Sequence, residues 1–174
     1  MMKQKAFVRF FAALLVTWAW IAIMKHEVQP LTSREIVSFE FARTPEQVLT
    51  WLQYFDREGL RSQFEVSIYL DFIFLLIYPL PFVFACRAIA AAGSGRVQSL
   101  SARFARWIWL AAVCDMIENL GILYTLHGHP TGLVTHATAF FALLKFSILL
   151  AAFAAVAAGT FWLLFAVRIT QMRT

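Results

Sequence analysis

Residues 137–167 read ATAFFALLKFSILLAAFAAVAAGTFWLLFAV, thirty-one positions with one charged side chain, Lys145. A helix needs about 20 mainly apolar residues to cross roughly 30 Å of hydrocarbon, and this stretch exceeds that. Three more stretches approach the same length: 6–24, broken only by Arg9, then 68–86 and 107–126. In lipid the backbone must satisfy its own hydrogen bonds, which leaves helices or a closed barrel. A barrel shows alternating segments of about ten residues, and these runs do not alternate. The sequence therefore predicts an all-α integral membrane four-helix bundle, one membrane domain over 1–174. Its helices lie at about 6–24, 68–86, 107–126 and 137–167, with an external segment over 25–67 that carries a short amphipathic helix.

Composition agrees. Apolar residues make up 61% of the chain and charged residues 14%, with eighteen Phe and six Trp. A soluble domain has roughly 45–50% and about 25%, so a soluble globular enzyme and a disordered chain are both excluded. The net charge of +5 is a topology signal. Lys3, Lys5 and Arg9 open the first helix, Arg87, Arg96, Arg103 and Arg106 lie between the second and third, and Arg168 and Arg173 follow the fourth. The 25–67 segment instead mixes five basic with seven acidic side chains. The basic side is expected to be cytoplasmic, with both termini inside. Basic residues spread over three membrane edges suit anionic lipid headgroups and not a nucleic acid. The Ala- and Phe-rich helices with compact loops suit a bacterial inner membrane.

The first segment reads as a retained helix. It lacks a small-x-small cleavage site after Ile21, and Trp18 and Trp20 suit a membrane interface. Cys86 and Cys114 fall within or near helices, so neither a disulfide nor a Cys-based metal site is expected. No repeat points to duplicated transporter halves, and Gly93-Ser94-Gly95 is a turn without a phosphate-loop pattern.

The external segment is not a plain linker. Thr44-Pro45-Glu46-Gln47 has a capping residue, a proline suited to the first helical position and a capping-box partner. Val48, Leu49, Trp51, Leu52 and Phe55 then form an apolar stripe, which Gly59 ends. This helix either lies on the membrane surface or caps the bundle. The preceding Ile36–Phe41 alternates apolar and polar residues and reads as a strand or extended segment. As a functional element, the loop is either a simple interfacial join or a lid over an outward-facing cavity.

The functional signal lies in polar residues at membrane depth, each costly there unless paired or facing water. Asp71 is about 24 Å from Arg87 along the second helix, and Tyr78 lies on nearly the same face about 10 Å deeper. Phe74 or Leu75 lines the seam between them, and Pro79 and Pro81 should bend the helix and free carbonyls near Tyr78. Asp115, Glu118 and Asn119 share one face of the third helix at i, i+3, i+4. Two carboxyls so close do not both ionise easily. Lys145 lies about 34 Å from Arg168. It either snorkels to the headgroups or turns inward to pair with Asp71. Phe141, one turn earlier, is expected to supply an apolar wall.

Asp71, Glu118 and Asp115 are the candidate catalytic carboxyls, and Tyr78, Asn119 and Lys145 the candidate ligand-binding groups. In this arrangement Asp71 and Glu118 bind a cation or move protons, Asp115 and Asn119 orient them, and Tyr78 donates a hydrogen bond. Four roles stay open: a packing network, a pocket for a lipid-like or cationic molecule, an intramembrane acid–base or isomerase-type enzyme, and ion passage. His127, His129 and His136 with these acids are metal-ligand types. The chain has neither a Glu-x-x-His pair nor His-Glu-x-x-His, so no metal or other cofactor is assigned. Partners are membrane lipids and a sterol-like molecule or cationic amphiphile, with a second copy or another membrane protein in the packing-network reading.

The stretches Trp51-Leu52-Gln53-Tyr54-Phe55, Asp71-Phe72-Ile73-Phe74 and Tyr78-Pro79-Leu80-Pro81-Phe82, with this helix layout, carry a resemblance. The chain resembles the small four-helix members of the emopamil-binding and sigma-two-receptor superfamily over most of its length, as a layout. That resemblance implies a first helix, an external segment and three further helices. It also implies binding of sterols and cationic amphiphiles inside the bundle, and in some members sterol double-bond isomerisation. Asp71 then pairs with a ligand cation or protonated intermediate. The chain departs from the family at Lys25-His26-Glu27, where an aspartate is expected, and at Asp115–Asn119, which has no counterpart there.

Overall fold

The structure is a computed structural model describing residues 2–128 and 130–171, with side chains over 6–128 and 130–163. His129 and Arg173 lie outside the described residues, as do the side chains of Lys3, Lys5 and Arg168. Seven helical segments follow one another: α1 (Met2–Glu27), α2 (Ser33–Glu40), α3 (Pro45–Arg57), α4 (Arg61–Ile77), α5 (Pro79–Ala92), α6 (Gly95–His127) and α7 (Gly132–Gln171). No strand occurs among the described residues. Among the described residues, four spans are long and apolar enough to cross a membrane: α1, α4 with α5, α6, and α7. The protein is an all-α membrane bundle.

The observed helices outrun the apolar stretches that betray them. The second span starts at Arg61 and the third at Gly95, so Gly93 and Ser94 alone separate α5 from α6. Hydropathy locates the part of a helix in hydrocarbon, whereas backbone hydrogen bonding continues into the polar flanks. At about 1.5 Å per residue, the 33 residues of α6 span roughly 50 Å, well beyond the bilayer core. Pro79 and Pro81 lack the N–H groups that would bond the carbonyls of Leu75 and Ile77, and the second span breaks at Tyr78 accordingly.

Ile36–Phe41 corrects the extended reading, because it lies in and just after α2. Thr32 accepts from the Glu35 backbone N–H while the Glu35 side chain accepts from Thr32, a full capping box that starts the helix. α3 starts as its sequence predicts, with Thr44 and Gln47 reciprocally bonded and Pro45 at the first position. Gly59 ends it at φ +67°, a region where a Cβ is strained. Val48, Leu52 and Phe55 face inward, and Leu49 faces out. α3 thus caps the bundle and does not lie on the membrane apart from it. Tyr54 ties the two cap helices by donating to Glu35 at 2.6 Å.

α6 is the hub, packed on α7, α5 and α4, while α1 leans on α5 and α4. The apolar core is layered. Under the cap, Phe39, Phe55, Phe64, Ile68, Ile122 and Leu126 form one cluster. Deeper in, Leu75, Tyr78, Ala111 and Ala112 form a second, and Val83, Ile108 and Ala152 a third. Arg61 donates to the Leu126 carbonyl at 2.9 Å and so satisfies an end group of α6. The helix–helix seam is tight at Gly121, where a Cβ would overlap the Thr138 hydroxyl.

Two outcomes test this packing. Gly121→Ala is expected to lower stability by about 1–3 kcal/mol through overpacking, with Thr138→Ala restoring most of the loss, as read by thermal unfolding in detergent. The hydrogen bonds of Thr32 and Tyr54 hold the Glu35 carboxyl below its ordinary value of 4.5. Its contribution is therefore full above that value and fades as pH falls through the lower folded one. Tyr54→Phe should accordingly lower the melting temperature at neutral pH, and the difference from wild type should shrink in acid.

Candidate functional site

Between the cap cluster and the second cluster lies a polar layer. On α4 the order is Ile68, Asp71, Leu75, and on α6 it is Ile122, then Asn119, Glu118 and Asp115, then Ala112. The i, i+3, i+4 spacing does put the three α6 side chains on one buried face: Asp115, Glu118 and Asn119 are all 3% exposed or less. Tyr78, at the junction of α4 and α5, keeps helical backbone angles and is buried, with its ring against Phe74.

Lys145 settles the inward alternative of the sequence reading but with different partners. Its Nζ stands 2.8 Å from Glu118 Oε2, 3.0 Å from Asp115 Oδ1 and 3.6 Å from Glu40 Oε2. The Asp115 contact is a well-directed hydrogen bond, whereas the Glu118 contact is ionic and off the hydrogen-bond direction. Asp71 is not in this ion cluster. It accepts from the Asn119 amide at 2.8 Å and stays half-buried at the edge of a cavity.

Glu40 is the member that sequence reasoning missed. It ends α2 in the external segment, yet it is 9% exposed and reaches the same ammonium. Burial pushes its carboxyl above the ordinary value, against the pull of Lys145. The available signal was the capping box at Thr32 and Glu35, which makes 33–40 a helix and puts Glu40 one position past Phe39, a core residue. Sequence alternation hid that.

Several polar atoms are left over. Both Glu118 oxygens, Glu40 Oε2 and the Tyr78 hydroxyl are buried without a hydrogen-bond partner among the described residues. Such atoms are rare in native structures and mark places where another group belongs.

The cavity has a volume of about 620 Å³. Its polar part carries Glu40, Asp71, Asp115, Tyr78 and Lys145, and its walls are mainly apolar side chains of α1, α2, α5 and α7. Glu118 and Asn119 sit behind that wall and do not line it. α1 and α7 both line the cavity but are not packed closely on each other. Phe74 lines the cavity as expected, and Leu75 packs behind it. Phe141 is not a wall. It packs on Phe140, and the α7 wall is Phe146, Leu149, Phe153 and Val156. The wall extends from Lys145 toward the opposite membrane edge, whereas Phe141 lies one turn toward the cap.

His127 and His136 stay apart from this layer. His127 contacts Glu65 at 3.1 Å and the Leu123 carbonyl at 3.0 Å, and His136 is exposed. Among the described residues no three His, Cys, Asp or Glu side chains gather in a metal-holding arrangement. Cys86 and Cys114 are buried free thiols. No family model matches the chain, and neither a curated protein nor a solved structure matches it.

Removing one partner of a buried ion cluster leaves charge uncompensated. Lys145→Met keeps the length of the side chain and strands three carboxyls. A loss of about 3–5 kcal/mol is expected, against a smaller loss for Glu118→Gln, which keeps an acceptor for the ammonium. Equal unfolding midpoints for Lys145→Met and wild type would show that the cluster does not hold the helices together.

Proposed function

We propose that the protein binds a cationic amphiphile inside the membrane, with the charged head at Asp71 and the hydrocarbon body along α1, α5 and α7. The observation that carries this reading is the cavity itself. It has four carboxyls at or just behind its polar end, Glu40, Asp71, Asp115 and Glu118, against one ammonium, and an apolar remainder. Asp115, Glu118 and Glu40 already face Lys145, which leaves Asp71 as the carboxyl free to meet a ligand. Phe74 adds an aromatic face that attracts cations, whereas the Phe146 ring already meets the Lys145 ammonium at 4.9 Å and stacks on Phe41.

The size is right for such a molecule. Lys145 and Val156 are eleven residues apart on α7, about 16 Å along the axis, or about half of a 30 Å hydrocarbon core. The volume falls in the usual range of roughly 300–1,000 Å³ for small-molecule sites. In this reading a lipid-like ligand enters from the bilayer between α1 and α7, which line the cavity without packing closely on each other. The layout shared with the emopamil-binding and sigma-two-receptor superfamily supports the same reading, as an analogy of fold. The spread of Arg87, Arg96, Arg103 and Arg106 supports a cytoplasmic α5–α6 turn and cytoplasmic termini, which puts the polar end of the cavity in the outer leaflet.

A second reading is acid–base chemistry, isomerisation included. The buried Tyr78 hydroxyl, without a hydrogen bond and next to Asp115, favours it, because an unspent donor beside a carboxyl is a proton-transfer pair once a substrate arrives.

Filling the cavity tests the main reading. Leu149→Trp, in the middle of the α7 wall, should abolish retention of any co-purified amphiphile seen by native mass spectrometry. It should also remove thermal stabilisation by added long-chain ammonium compounds. Unchanged stabilisation in this variant would place the binding elsewhere.

A further inference from the structure

Resting on that reading, we propose that the site takes up its cationic ligand in exchange for a proton, so that each positive head bound releases one proton to water. The charge count is the starting point. Lys145 on α7 faces Asp115 and Glu118 on α6 and Glu40 on α2, with Asp71 and Tyr78 of the second span beside them and Cys114 one turn away on α6. α1 and α5 bring no charged side chain to the cavity. One ammonium neutralises one carboxylate. Three further carboxylates in a largely apolar layer, covered on the cap side by Phe39, Phe55 and Phe64, would repel one another more strongly than in water.

The leftover oxygens are an independent sign. Glu118 is fully buried; its Oε2 meets the Lys145 ammonium as an ion pair, but its Oε1 has no partner, and Glu40 Oε2 has no hydrogen bond and stands 3.6 Å from that ammonium. Glu40 and Glu118 face each other. Two carboxylates cannot donate to one another, but a carboxylic acid can donate to a carboxylate. A proton shared by this pair gives the stranded oxygens a partner and lowers the charge of the layer. When a cation arrives beside Asp71, the same charge balance is met without that proton, and it leaves. The group passes from carboxylic acid to carboxylate, the ligand supplies the positive charge, and the proton goes to solvent.

The sign follows. The free site holds one more proton than the complex, so raising the pH favours the complex, by about tenfold in Kd per pH unit where the exchange is complete. The test uses the full chain in nanodiscs with two probes that do not titrate, decyltrimethylammonium and 1-decanol. Over about two pH units around neutrality, the ammonium probe should bind about tenfold tighter per unit. Calorimetry in two buffers of different ionisation heat should give about one proton released per probe. Decanol should show no slope. Asp71→Asn and Glu118→Gln should each flatten the slope for the ammonium probe, with Glu40→Gln as the alternative if either fails to fold. Ammonium binding that is flat with pH overturns the exchange while leaving the pocket in place, and so does a slope that survives in all folded variants. Failure of both probes to bind at any pH overturns the ligand reading itself.

Discussion

The Lys145 ammonium sits in the apolar interior and is held there by carboxyls from two other elements. Transferring an isolated charge into a low-dielectric interior is expensive, and only close opposite charge makes it tolerable. Glu118 and Asp115 come from α6 and Glu40 from α2, so the one cation joins the hub helix, the last helix and the cap. The rest of the arrangement depends on this contact. It sets how α7 turns, which face of α6 points inward, and why a short helix from outside the hydrocarbon descends onto the bundle. The aromatic layer of Phe39, Phe55 and Phe64 above it keeps water away from the ion cluster and so strengthens it.

The break at Tyr78 has a related consequence. Two prolines interrupt the hydrogen-bond ladder between α4 and α5, and Pro81, Phe82 and Ala85 of α5 line the cavity beneath the polar layer. The same helices therefore provide a charged end fixed by ion pairing and an apolar trough shaped by backbone chemistry.

Much of the fold was legible because membrane helices obey a length and polarity rule that acts locally. Residues 137–167, 6–24, 68–86 and 107–126 could be nothing but helices in lipid, and Thr44-Pro45-Glu46-Gln47 carries its own start signal. The face shared by Asp115, Glu118 and Asn119 follows from helical spacing alone. Helix ends were less legible, since Arg61 and Gly95 begin helices in polar sequence that hydropathy passes over. Ile36–Phe41 misled because two-residue alternation over six positions was weighed ahead of the cap at Thr32.

Sequence alone determined that the chain crosses a membrane with four spans, that the second is broken by proline, and that carboxyls lie at depth, because each of these is a property of a single segment. Only the tertiary structure decided which charges meet. Lys145 had two open choices and took partners that no spacing rule could supply, since Glu118 and Glu40 lie 27 and 105 residues away in the chain. Glu40 entered the site because α2 folds back over the bundle, and Phe141 lost its place as a wall because α7 extends the cavity toward Leu149 and Val156. Ion pairing and cavity shape are set by distances between helices, and those distances arise only when the helices pack.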